Sequence, residues 1–223
     1  MNVLTVSDIL VPLLYSPRIK ERFGGTEVAI DCGDLPYYYL EYIGDELNSG
    51  IFFVRGNHSK IEESTTGGLR RAPLGAMDLH RRVVNYQGLL LAGVEGSLRY
   101  RPGPFQYSQS EMWWHVFALI PILLTNRARY GRFLDVFVTH ASPWGIHDQP
   151  DLTHQGIKAF RWFDKVFKPA YHFHGHIHVY RPDTILETKF ERTWVINTFG
   201  YRMTQITPGE MDLARVDSPV HNT

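Results

Sequence analysis

The chain has 223 residues, a length that suits one compact domain, and 23 Lys and Arg balance 23 Asp and Glu, so it carries no formal net charge. A neutral chain lacks the broad positive field of a protein that coats nucleic acid or an anionic membrane, although a local basic groove would still serve a nuclease. Cys32 is the only cysteine, which excludes an internal disulfide and suits a reducing, cytoplasmic setting.

Val3 to Ser7 is a β-branched and apolar run, expected as a buried first strand that stops at Asp8 rather than as a secretion signal. A short helix is expected from Arg18 to Phe23, closed by Gly24 and Gly25. Val28 to Ile30 predicts a second strand, running into Asp31-Cys32-Gly33-Asp34. Pro36 suits the first turn of a helix over 36–48, and Asn48-Ser49-Gly50 ends it. A third strand, Ile51 to Arg55, leads to Gly56-Asn57-His58. Two successive βα units point to an α/β fold with buried strands.

Residues 60–82 read as a long loop of the kind that often carries function. Leu89 to Val94 is a predicted strand, and Arg99 to Ser108 is irregular and, with 60–82, expected to carry specificity. Glu111 to Arg129 is expected as one helix bent at Pro121. The longest apolar run, Val116 to Leu124, lies inside it and is too short to span a bilayer, so no membrane partner is expected. Leu134 to Thr139 predicts a strand ending at His140. Ile157, Phe160, Phe163, Val166 and Phe167 give helical spacing over 155–167. Ala170 to Phe173 predicts a strand leading into His174-Gly175-His176-Ile177-His178, followed by a hairpin over 184–197 and a strand over 201–206. The expected domain covers 1–207, with 208–223 as a polar, frayed tail.

One pattern recurs along this chain: a buried strand ends and a metal-ligating side chain follows. It happens at Asp8, Asp34, Asn57-His58, His140 and His176/His178. In open α/β sheets, ligands bind outside the carboxyl ends of the strands, so these residues can converge. Oxygen and imidazole donors without thiolate suit Mn, Fe, Zn or Co rather than a thiolate-rich structural zinc site. Two carboxylates plus imidazoles are enough for two ions if one carboxylate bridges.

In this order the residues resemble the calcineurin-like metallophosphoesterases, whose pattern is Asp-x-His, Gly-Asp-x-x-Asp, Gly-Asn-His-(Asp/Glu), a lone His and Gly-His-x-His. Here they read Asp8-Ile9-Leu10, Gly33-Asp34-Leu35-Pro36-Tyr37, Gly56-Asn57-His58-Ser59, Thr139-His140 and Gly175-His176-Ile177-His178. The resemblance implies four layers, two packed mixed β-sheets flanked by helices, and metal-dependent hydrolysis of a small phosphate ester. It also implies that Asp8 and His178 hold a first metal and Asn57, His140 and His176 a second, with Asp34 bridging. His58 would be the acid at the leaving oxygen, opposite in-line attack by a metal-bound hydroxide.

Thr139-His140-Ala141-Ser142-Pro143-Trp144-Gly145-Ile146-His147-Asp148 resembles a subgroup that includes phosphodiesterases, and that favours a diester. A phosphomonoesterase or nuclease is the alternative, and so is a feebly active metal-binding regulatory module. Three departures bear on this. Leu10 stands where the first histidine should be, Tyr37 replaces the acid that orients the catalytic histidine, and Ser59 replaces an acidic residue. Arg55 and Tyr37 are the candidate substrate contacts, although a surface or salt-bridged arginine is at least as good a reading of Arg55. His172 and His174 read as structural, His80, His115 and His221 as unrelated to the site, and the tryptophans as packing residues.

Overall fold

The computed structural model describes residues 1–63 and 68–209. The chain begins with β1 (Asn2–Ser7), α1 (Ile19–Phe23), β2 (Val28–Asp31), α2 (Tyr37–Leu47) and β3 (Gly50–Phe53). Three short strands follow where a loop was expected: β4 (Glu62–Glu63), β5 (Leu69–Arg70) and β6 (Ala76–Asp78). Next come β7 (Arg82–Tyr86), β8 (Leu89–Val94), β9 (Ser97–Leu98) and β10 (Gln106–Tyr107). The second half holds α3 (Gln109–Phe117), α4 (Ile120–Tyr130), β11 (Val136–Thr139), α5 (Lys158–Phe167), β12 (Tyr171–His174), β13 (Glu187–Phe190), β14 (Thr193–Asn197) and β15 (Gly200–Gln205).

Two sheets carry the fold. The first has the order β15-β1-β2-β3-β6, parallel throughout except for β15, which runs antiparallel to β1. The second has the order β13-β14-β12-β11-β8-β7, with four parallel strands between antiparallel edges. Parallel strands are covered on both faces, which is why β1, β2, β8 and β11 read as continuous apolar runs.

Alternating side chains divide between layers. Val3, Val28, Ile30 and Phe52 point inward to meet Leu89, Leu91, Val136, Val138 and Phe173 of the facing sheet. Leu4, Val6 and Ala29 point outward under Ile19, Phe23, Tyr39 and Ile43 of α1 and α2. Leu90, Ala92 and Phe137 point the other way, under Met112, Val116, Leu123, Phe160 and Phe163 of α3, α4 and α5. The result is four layers: helix, sheet, sheet, helix.

Several boundaries differ from expectation. The 60–82 segment is not a plain loop, because β6 adds in parallel to β3 at the sheet edge; residues 64–67 of it lie outside the described residues. The single helix bent at Pro121 is two helices parted at Ala118 and Leu119, with Pro121 in the first turn of α4, where its missing N–H costs nothing. α3 starts at Ser108 through a reciprocal capping box with Glu111. α5 starts late because Ile157 donates its N–H to Ser142 O at 2.9 Å and accepts from Trp144 N at 3.1 Å. Pro36 stands at the N-cap of α2 rather than within its first turn. Trp114, expected as a packing residue, is 72% exposed, whereas Trp113 packs on Trp162 across α3 and α5. Most of the expected tail, 210–223, lies outside the described residues. No helix among the described residues is long and apolar enough to cross a membrane.

Candidate metal centre

The carboxyl ends of β1, β2 and β3 in one sheet meet those of β11 and β12 in the other, and Asp8, Asp34, Asn57, His140 and His176 each follow within four residues of a strand end. Donor atoms of Asp8, Asp34 and His140 all lie within 4.8 Å of one another. His140 is fully buried, and its Nδ1 donates to Cys32 O at 2.8 Å, pinning a residue of the second sheet to the first. Its Nε2 faces two oxygens, Asn57 Oδ1 at 3.0 Å and Asp34 Oδ2 at 3.2 Å. His176 packs beside it with ring centroids 4.9 Å apart, and His176 Nε2–H donates to Thr153 O at 2.7 Å, which leaves Nδ1 with the free lone pair.

Asp8 is held against the same cluster. Both of its carboxylate oxygens accept the His176 backbone N–H at 3.1 Å, and its own amide donates to Gly33 O at 3.1 Å. His178 is the loosest of the expected ligands. Its Nε2 lies 3.8 Å from Asp8 Oδ1, its side chain is 41% exposed, and its Nδ1 pairs with Tyr180 Oη at 3.0 Å. Leu10 is exposed to solvent at 47% and offers no donor.

The backbone is strained where these ligands leave it. Asp8, Asp34 and His176 have φ of +65°, +69° and +67°, a region that non-glycine residues occupy at a cost of about 1 kcal/mol or more. Strain of this kind persists only when surrounding contacts over-determine it, and it clusters at functional sites. Gly56 permits the closest approach. A Cβ there would overlap the Asp34 carboxylate and the His140 ring. Asp31 sets the turn before Asp34 by accepting the Gly33 N–H at 2.8 Å, and burial pushes its own carboxyl pKa well up.

The electrostatics follow from this crowding. Burial alone would raise Asp34, but the His140 charge and hydrogen bond outweigh it and bring its pKa down to about 2. Burial alone would lower His140, but Asp34 outweighs it and lifts the imidazole to about 9. Burial, then the His140 charge, pushes His176 down to about 3, and burial raises Asp8 against the pull of His140. Oxygen acceptors thus surround a ring nitrogen that must carry a proton unless a cation replaces it. That donor set fits a divalent ion: Asp34, Asn57, His140 and His176 would hold the second metal, and Asp8, Asp34 and His178 the first, in a more open site.

The other expected residues are placed differently. His58 stands exposed at the rim; its backbone N–H donates to Asp34 Oδ1 at 2.7 Å and its Nδ1 lies 3.4 Å from Arg101 Nη2. Arg55 is not available as a phosphate contact. Its Nη1 binds Asp78 at 2.7 Å and Glu95 at 2.9 Å, and its Nη2 binds Arg71 O, so it is a buried, salt-bridged arginine. Tyr37 does not line an open pocket. It is 3% exposed under the Arg70 guanidinium, and its hydroxyl is buried without a hydrogen-bond partner among the described residues. Ser59, in place of an acid, accepts the amides of Gly56 at 2.9 Å and Asp34 at 3.2 Å and so ties the two ligand loops. Asp148 accepts the Gly156 amide at 3.1 Å and closes the loop after His140.

Three contributors went unread in the sequence. Tyr100 Oη accepts from Asn57 Nδ2 at 3.1 Å and turns the amide oxygen towards His140; Arg101 faces His58; Thr153 O fixes the His176 ring. For the first two the sequence marked only the segment, 99–108, as an irregular one expected to carry specificity, and a backbone carbonyl such as that of Thr153 leaves no mark in a sequence.

Among solved structures, TT1561 of Thermus thermophilus superposes with a TM-score of 0.61, covering 89% of each chain at 13% identity. A single mutant of Vps29 from Entamoeba histolytica gives a TM-score of 0.43 at 11% identity, covering 93% of this chain and 87% of that one. At 13% identity the likeness to TT1561 speaks to fold alone, and nothing is drawn from the match to Vps29. No curated protein matches the chain by sequence. The model of the family described as calcineurin-like phosphoesterase matches residues 29–180, a span that holds Asp34, Asn57, His140, His176 and His178 but begins after Asp8. With two mixed sheets between helices and that match over more than half its length, the chain belongs to the calcineurin-like phosphoesterases.

Proposed function

We propose that this protein hydrolyses small phosphate esters, phosphodiesters by preference, with divalent ions held at the Asp34 centre and in a cytoplasmic setting. The observation that carries the reading is the convergence of Asp8, Asp34 and His140 donor atoms within 4.8 Å from three different strand ends. Manganese, iron and zinc all suit the oxygen and imidazole donors. When bound, such ions neutralise phosphoryl charge and bring the pKa of water near 7.

The chain's own residues supply the rest. Asp34 stands between the two ligand groups and is kept ionised. Asn57 is aimed by Tyr100, and His140 by Cys32 O. His58, exposed at the rim and fixed through its backbone to Asp34, would donate a proton to the leaving oxygen.

The test is hydrolysis of bis(p-nitrophenyl) phosphate and p-nitrophenyl phosphate by the purified chain with added manganese. Faster manganese-stimulated turnover of the diester supports the proposal, and preference for the monoester reassigns it as a phosphomonoesterase. Less than one metal per chain, with no stimulated hydrolysis of either ester, would sink the enzyme reading.

A second reading, a feebly active metal-binding regulatory module, draws on the open His178 half with Leu10 beside it. Leu10→His separates the two. Tighter binding of the first metal together with faster turnover attributes the weakness to Leu10, and unchanged metal affinity contradicts that attribution.

A further inference from the structure

Arg101 is an exposed guanidinium with no carboxylate partner among the described residues. Arg55 and Arg70, by contrast, meet carboxylates at 2.7 and 2.6 Å. Arg101 instead points Nη2 at His58 Nδ1, 3.4 Å away, and lies over the ring of Tyr100 at 5.3 Å. Tyr100 is in turn bonded to Asn57, one of the candidate metal ligands. The backbone here is not a free loop end. The amides of Tyr100 and Arg101 both lie 3.4 Å from Oε1 of Gln106, a residue only 3% exposed. A cation is therefore held beside the candidate acid and over the tyrosine that bonds a candidate metal ligand, with no carboxylate partner among the described residues.

A guanidinium presents a planar fork of N–H donors that matches phosphate oxygens, and a bond to a charged acceptor is stronger than one to a neutral acceptor. Burial or packing does not explain its placement, since it is exposed and makes no ion pair among the described residues. We infer that Arg101 is a substrate-binding residue that grips a non-bridging phosphoryl oxygen on the His58 side of the centre. The inference rests on the phosphoesterase reading and adds to it a protein-borne anion clamp.

The experiment uses the full chain, loaded with manganese and freed of excess metal, and titrates it with inorganic phosphate by calorimetry. Arg101→Met should weaken phosphate binding by about tenfold or more, with manganese content and melting temperature unchanged, and Arg101→Lys should recover part of the loss. On bis(p-nitrophenyl) phosphate, KM should rise more than kcat falls. Phosphate binding by Arg101→Met equal to that of the unaltered chain overturns the inference and leaves the phosphoesterase reading standing. Loss of manganese in Arg101→Met also overturns it, by making Arg101 structural. If the unaltered chain neither binds phosphate nor hydrolyses either ester, the phosphoesterase reading falls and this inference with it.

Discussion

Both ring nitrogens of His140 face oxygen acceptors, Cys32 O on one side and Asn57 and Asp34 on the other, so in the metal-free protein the imidazole holds two protons. With its pKa lifted to about 9, loading Nε2 with a metal ion at pH 7 should release about one proton per chain. Apparent metal affinity should rise about tenfold per pH unit until pH nears 9. Calorimetric metal titrations in buffers of different ionisation enthalpy measure this, and heats independent of the buffer would contradict it.

The same pair sets a pH window for the chelated protein. His140 is raised above its ordinary 6.5, so its contribution is full below that value and is lost as pH rises through about 9. Asp34 is lowered from 3.8, so its contribution is full above 3.8 and is lost as pH falls through about 2. Urea unfolding in chelator should therefore show this pair's full effect only between pH 3.8 and 6.5. At Gly56, where a Cβ has no room, Gly56→Ala should lower metal affinity by roughly 10- to 100-fold while leaving the far-UV circular dichroism unchanged. Wild-type affinity in that variant would show that the ligands tolerate displacement.

At the scale of elements, the strand ends were readable because parallel strands are buried on both faces, so each apolar run stops abruptly at a polar ligand. The short strands within 60–82 were not readable, because two- or three-residue strands are too short to show a period. The break between α3 and α4 had a misleading marker: Pro121 suggested a kink, yet proline is also at home in a first turn. The Ser108 to Glu111 cap was legible by its spacing and was missed; Ser108→Ala should cost about 1 kcal/mol in urea unfolding.

Behind the centre, α5 is joined to the second sheet by a fully buried chain. Asp164 Oδ2 meets His172 Nδ1 at 2.8 Å, and His172 Nε2 meets Thr139 Oγ1 at 2.8 Å, directly before His140. Removing one partner from such a buried set strands the other, so Asp164→Ala should destabilise by roughly 3–5 kcal/mol. A loss under 1 kcal/mol would mean that the chain of bonds is not a support for the strand end.

Across the whole molecule, the site exists only because two sheets meet at their carboxyl ends. His140 reaches back to Cys32, Asp8 accepts from His176, and Thr198 Oγ1 donates to Ser7 Oγ at 3.1 Å, each bond crossing between sheets. None of these crossings is written in local sequence. They became legible through the order of five motifs and their family likeness, while the left-handed backbone at three ligands and the contribution of Tyr100 and Arg101 belong to tertiary packing. Since the ligands come from both sheets, bound metal should stabilise the fold as a unit, by about 2.7 kcal/mol at a free concentration one hundred times its Kd.

Asp34 is the residue on which the proposed centre turns, because it would be the one ligand shared by both metals. The direct measurement is metal content and manganese-dependent hydrolysis of bis(p-nitrophenyl) phosphate by Asp34→Asn beside the unaltered chain. The account predicts that the unaltered chain holds at least one ion and is active, and that the variant folds but loses both metal and activity. A folded Asp34→Asn protein that keeps its metal and its turnover would contradict the assignment of this centre.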